Sequence, residues 1–294
     1  MESKLINEFL NTNNISKASI KGYLYDLNTF VLFMMKRNHI NNLDNEADKD
    51  LFLNLNSIDM YAYVDYLKKE LKNSDKTIAR KISAVKNFYK FLNKKYGLNN
   101  EIVSFKFRYN NDSLNKDVLS NEQINDLIDY VKNIEPEKNQ IIIFLMLFNG
   151  LTVKEVQNIK TEDIFDNNII INKNSENERI VKINDALRGI LSRFLFSNDQ
   201  LYLLNSPSNP KKPISTRRIQ EIVKNALKRI GIEEKGISSN ILRNTAVKML
   251  KDYNNAGFNE IKSFLGLKTD KQIERYLKDK QEEIDMNKNP FSKF

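Results

Sequence analysis

Glycine and proline are scarce in this chain, 8 and 5 of 294 residues, and apolar side chains recur at three- and four-residue spacing. Strand-rich folds need turn residues every few positions, whereas long amphipathic helices do not. The scarcity predicts a mainly α protein. Residues 19–35 place Ile20, Tyr23, Leu24, Leu27, Phe30, Val31 and Met34 along one helical face, and 57–71 repeat the pattern with Ile58, Tyr61, Val64 and Leu67. Ser74 or Asp75 caps a further helix, whose face is Ile78, Ile82, Val85, Phe88, Tyr89 and Leu92 and whose stop is Gly97. The aromatic set Phe30, Phe33, Phe88, Tyr89 and Phe91 reads as core rather than as a base-stacking platform. Residues 1–98 are expected to be one helical domain.

Periodicity then fails over 99–116, where Asn, Asp and Ser dominate, and a linker is expected there. A second domain is expected over 117–294. Ser120 and Gln123 have the spacing of a capping box, and Ile124, Leu127, Ile128 and Val131 follow on one face. Residues 141–148 read as a buried helix ending at Gly150. The β-branched runs 169–171 and 179–183, joined by a polar turn, predict one antiparallel hairpin. Helices follow near 186–196, 215–230, 242–253 and 259–264.

The formal net charge is +9 with a pI near 9.3, which suits a polyanionic partner. Zero cysteines exclude disulfides and thiolate metal sites, and a lone histidine, His39, argues against a histidine-ligated metal. His39 is expected at the surface near a helix end. The first residues lack the apolar core of a signal peptide, and the run 141–148 is too short to span a bilayer. The cytoplasm, on the nucleoid, is the expected location.

Five segments resemble, in order, those of the tyrosine recombinases, the phage integrase family. SKASIKGYLYDLNTFVLFM and SDKTIARKISAVKNFYKFL resemble helices of its core-binding domain. LMLFNGLTVKEVQNIKTEDI resembles the segment that carries the first catalytic arginine. NKNSENERIVKI resembles the lysine-bearing hairpin, and residues 240–276 resemble the His-x-x-Arg-His, Leu-Gly-His, Tyr block. The resemblance covers nearly the whole chain and is to Xer-like two-domain members. It implies a SAM-like helical core-binding domain followed by an α+β catalytic-type domain with a small antiparallel sheet. It also implies duplex DNA as partner, no metal and no cofactor. In the family a tyrosine oxygen attacks a DNA phosphate and releases a 5′ hydroxyl, while arginines and neighbouring donors steady the charge on the phosphate.

Carried over by position, Tyr276 takes the place of the nucleophile and Arg243 that of the second arginine. The first arginine's place holds Thr152, which is also suited to cap a helix start. The donor three residues before Arg243 is Asn240, Leu-Gly-His has become Leu265-Gly266-Leu267, and the hairpin lysine aligns with Asn174, beside Lys173. Losing one oxyanion donor costs about 2.7–4 kcal/mol, and a combined loss of about 6 kcal/mol is on the order of 10⁴-fold in rate. The substitutions therefore point to a sequence-specific DNA-binding protein without cleavage, a transcriptional regulator or architectural factor. The alternative is an active recombinase that forms a 3′-phosphotyrosyl intermediate through Tyr276, with Lys173 or another residue substituting. In this frame Arg80, Lys81 and Lys86 face the duplex, and Lys211, Lys212, Arg217 and Arg218 meet phosphates at a helix start. The segment after Tyr276, polar until Pro290 and ending Phe291-Ser-Lys-Phe294, reads as a disordered tail; the alternative, which the resemblance implies, is docking on a second copy bound to DNA.

Overall fold

The computed structural model describes residues 3–277 apart from 12–14, 16, 42–48, 50, 109–117, 198–199 and 234–237. The chain separates into two compact units, Met1–Asn111 and Asp112–Phe294. Residues after Leu277 and residues 109–116 of the expected linker fall outside the described residues, whereas Ile102 and Phe105, also assigned to the linker, are buried in the core of the first unit.

In the first unit, α1 (Lys4–Leu10), α2 (Lys17–Arg37), α3 (Ser57–Lys69) and α4 (Asp75–Tyr96) are followed by a 3-10 turn, Glu101–Ser104. Short polar side chains start the helices. The side chains of Ser3, Asn56 and Ser74 accept from backbone N–H groups of the first turns of α1, α3 and α4, satisfying donors that a helix start leaves open. Gly97 stops α4 in the left-handed region, φ 65°. Phe30 packs on Tyr63 with ring centroids 4.9 Å apart, and Phe52 packs edge-on to Phe88 at 5.1 Å. The Tyr89 hydroxyl donates to the Phe52 carbonyl over 2.9 Å. Each such buried side chain contributes about 1.5–3 kcal/mol.

Lys81 corrects one expectation. Its side chain is 2% exposed and reaches Asp26 at 3.2 Å and the Thr29 hydroxyl at 2.9 Å. It lies on the apolar stripe of α4 with Ile78, Ile82 and Val85 and cannot face a duplex. Arg80, half exposed, takes the other oxygen of the same buried carboxylate, and Lys86 donates to the Phe105 carbonyl over 2.8 Å. His39 is exposed just past the end of α2, with φ 54°.

The second unit is built on α6 (Glu137–Asn149), whose residues 141–147 are all buried. Around it lie α5 (Asn121–Ile134), α8 (Asp185–Phe196), α9 (Thr216–Arg229) and α10 (Asn240–Asn254). Ser120 and Gln123 form the expected capping box of α5. Between α6 and α8 come the short helix α7 (Val153–Asn158), a 3-10 turn (Thr161–Asp163) and β1 (Ile164–Phe165), β2 (Asn168–Ile171) and β3 (Arg179–Lys182). These strands form one antiparallel sheet in the order β1-β2-β3, with Ile169 opposite Val181. Ile169, Ile171 and Val181 turn into the core. A second sheet pairs β4 (Asn205–Ser206) with β5 (Asn209–Pro213), which the single expected hairpin did not include. After α10 come α11 (Phe258–Leu265) and α12 (Asp270–Leu277). The architecture is mainly helical with small antiparallel sheets, as the sequence predicted. No helix among the described residues is long and apolar enough to cross a membrane.

Candidate active site

Arg243 lies in the first turn of α10, which Ile241 and Leu242 anchor in the core beside α6. Its guanidinium is 5% exposed and engages four groups. Nη1 donates to the Gly150 carbonyl and reaches Glu155 Oε2 at 3.5 Å. Nη2 donates to the Leu265 carbonyl over 2.9 Å, and Nε to the Tyr276 hydroxyl over 3.3 Å. A buried guanidinium without partners is costly, so these bonds fix its position.

The partners are presented by helix ends. Gly150 caps α6 at φ 60°, and a Cβ there would meet a Phe264 ring carbon at 2.7 Å. The last turn of α11 closes with Gly266 donating to Ser263 and Leu267 to Lys262, a Schellman arrangement that requires the left-handed φ of 63° found at Gly266. Tyr276, on α12, is half-buried against the cluster of Val247, Ile261, Leu265 and Ile273. Leu267 packs against the same cluster, so this substituted position contributes an apolar contact.

Thr152 is the N-cap of α7. Its hydroxyl accepts from the Glu155 N–H at 3.2 Å and donates to Glu155 Oε2 at 2.9 Å, and its own N–H donates to the same oxygen at 2.8 Å. The other oxygen, Oε1, receives Arg179 Nη1 at 2.5 Å. Glu155 and Arg179 are site residues that the sequence reading did not single out. Thr-x-x-Glu is a capping-box spacing and could have drawn attention to Glu155. Arg179 opens β3 as an ordinary alternating strand charge, and only the fold brings it to Glu155. Burial works to raise the Glu155 carboxyl, but Arg179, the Thr152 N–H and Arg243 outweigh it and hold the group below its usual value.

The remaining expected positions lie apart from these contacts. Lys173 pairs with Asp163 at 3.2 Å and Glu162 at 4.0 Å, and Asp163 raises its ammonium above the usual lysine value. Asn174 sits in the hairpin turn at φ 60°, with its N–H on Glu178 at 2.6 Å. Asn240 is exposed at the start of α10. Lys211, Lys212, Arg217 and Arg218 are all exposed on β5 and the first turn of α9. Arg217 and Arg218 share Glu221, at 3.1 and 3.5 Å. Among the described residues no group of three or more His, Asp or Glu is placed to hold a metal ion.

A guanidinium bonded to a tyrosine hydroxyl is suited to nucleophilic attack on a phosphate, because the cation offsets charge on both nucleophile and phosphoryl oxygens. Comparison with known proteins places the chain in a family. Residues 117–283 match the phage integrase family, and residues 4–95 match the phage integrase N-terminal SAM-like domain. The tyrosine recombinase XerC of Caldanaerobacter subterraneus subsp. tengcongensis is 27% identical, over 98% of this chain and 87% of its own. The tyrosine recombinase XerD of Rickettsia bellii is 25% identical, over 83% of this chain and 82% of its own. In fold, the XerH site-specific recombinase bound to its palindromic difH substrate superposes with a TM-score of 0.71 at 16% identity, covering 98% of this chain and 84% of that one. This chain belongs to the phage integrase family, the tyrosine recombinases.

Proposed function

We propose that this protein is a site-specific recombinase that binds duplex DNA and cleaves one strand through Tyr276. The observation that carries the reading is the bond from Arg243 Nε to the Tyr276 hydroxyl inside a buried guanidinium site. In the step proposed, the Tyr276 oxygen bonds to phosphorus as the bond from phosphorus to the 5′ oxygen breaks. The tyrosine proton leaves to solvent, and the 5′ oxygen takes a proton from solvent. One phosphate diester replaces another, so the reverse step can join a different 5′ hydroxyl without an energy source.

The exposed cations Lys211, Lys212, Arg217 and Arg218, with Arg80 of the first unit, supply phosphate contacts in this reading. Relatives named as recombinases favour cleavage over the regulator or architectural factor that the substituted positions suggested. Self-association on DNA and a cytoplasmic location complete the proposal.

One observation favours a non-cleaving DNA binder instead. Thr152 spends its hydroxyl on a helix cap and Leu267 is packed in an apolar cluster, so neither touches a phosphate. Fragmented genomic DNA of the source organism separates the two readings. Fragments that share one sequence and survive an SDS wash support the recombinase, provided that Tyr276→Phe abolishes them. Discrete sites retained natively, with nothing surviving SDS, support the non-cleaving binder.

A further inference from the structure

Thr152 leaves the site one guanidinium short of the family's pair, and the fold brings another from β3. We infer that Arg179 takes that part and binds the DNA phosphate together with Arg243. The inference rests on the proposed recombinase reading and names a residue for it.

Four observations converge on Arg179. First, it shares the carboxylate of Glu155 with Arg243: Arg179 Nη1 takes Oε1 at 2.5 Å, and Arg243 Nη1 lies 3.5 Å from Oε2. Second, the two guanidiniums hold consecutive carbonyls at the end of α11. Arg179 Nε donates to Phe264 over 3.2 Å and Arg243 Nη2 to Leu265 over 2.9 Å. They therefore flank one carboxylate and one helix end, and Arg243 of the pair reaches the Tyr276 hydroxyl.

Third, the backbone makes room for it. A Cβ on Gly266 would lie 2.7 Å from Arg179 Nη1 and 3.0 Å from its Cδ. Fourth, Nε and Nη1 suffice to hold Arg179 in place, yet Nη2 is buried and has no hydrogen-bond partner. An unmet donor on a buried cation is unfavourable, and a phosphate oxygen brought against it as DNA binds would satisfy it. Charge points the same way. Two guanidiniums against one carboxylate leave this trio net positive, whereas Arg243 and Glu155 alone would cancel. Arginine also presents paired donors that match phosphate oxygens.

The test uses the full chain with Tyr276→Phe, so that binding is read without cleavage. A pool of random-sequence duplexes is enriched by native retention until one sequence dominates, and its affinity is followed through a salt titration. Removing one phosphate contact should lower the slope of log affinity against log salt by about 0.9. Arg179→Gln is expected to give that loss, and adding Thr152→Arg to it is expected to restore the slope. An unchanged slope with a lowered melting temperature would make Arg179 purely structural and overturn the inference. If Arg179→Gln alone does not fold, Arg179→Met is read in the same way: a lowered slope supports the inference and an unchanged one overturns it. The same duplex offered to the chain with Tyr276 intact tests the reading beneath. Failure to form an SDS-stable adduct defeats cleavage and leaves the slopes to judge Arg179, while retention of no duplex at all overturns both.

Discussion

Arg243 Nε lies 3.3 Å from the Tyr276 hydroxyl, although 33 residues separate the two in sequence. One residue starts α10 and the other ends α12, and α11 between them supplies the Leu265 carbonyl that holds the arginine. The tyrosine is thus positioned by the same guanidinium that a phosphate would meet.

Arg243→Ala should destabilise the second unit. It leaves the buried carbonyls of Gly150 and Leu265 without their donor, at about 1–3 kcal/mol for each acceptor. A domain of this size loses roughly 2–4 °C in melting temperature per kcal/mol, so a drop of several degrees by calorimetry is expected. An unchanged melting temperature would mean that these contacts do not hold the site.

Gly266→Ala tests the space beside Arg179. The left-handed φ of 63° and the approach of Arg179 Nη1 both oppose a Cβ. Expected is a loss of more than about 1 kcal/mol in denaturant unfolding. A neutral result would show that Arg179 moves aside freely.

Glu155 gives a pH signature. Its carboxyl sits below the usual value in the folded chain, so the unfolded chain binds the proton more readily. The stability it contributes is complete above its ordinary pKa of 4.5 and is lost as pH falls from there through the folded value. Glu155→Gln should flatten the acid limb of stability against pH. An acid limb as steep as the parent's would remove Glu155 from this account.

Lys81 and Arg217 should separate stability from DNA contact. Lys81→Ala breaks a buried pair with Asp26 and is expected to cost about 3–5 kcal/mol, with no change in the salt slope of DNA binding. Arg217, 89% exposed, should show the reverse: Arg217→Ala lowers the slope by about 0.9 and leaves the melting temperature in place. A salt-slope change in Lys81→Ala would restore it as a DNA contact.

Local chemistry carried most of the fold in the sequence. Ser74, the Ser120–Gln123 box, Gly97 and Gly150 mark helix ends by mechanisms that act within a few residues. The pair β4 and β5 was not legible, because Asn209-Pro-Lys-Lys-Pro213 has neither alternation nor β-branched residues. Lys81 was read as facing the duplex although it sits three residues after Ile78 on the apolar stripe, where Asp26 and Thr29 on α2 make its burial tolerable. In the site, Arg243 and Tyr276 were singled out by the resemblance to the family's motif block, and the fold brings the two together. Arg179 was not, since its partners Glu155 and Phe264 lie 24 and 85 residues away.

The most direct measurement is to locate the link to DNA. The chain contains 12 tyrosines, so an adduct alone does not identify the attacking one. The protein is incubated with fragmented genomic DNA, stripped in SDS, digested with nuclease and protease, and its nucleotidylated peptides are mapped by mass spectrometry. The account predicts a nucleotide on Tyr276, absent in Arg243→Gln. A nucleotide on another tyrosine, or none on any, would contradict it.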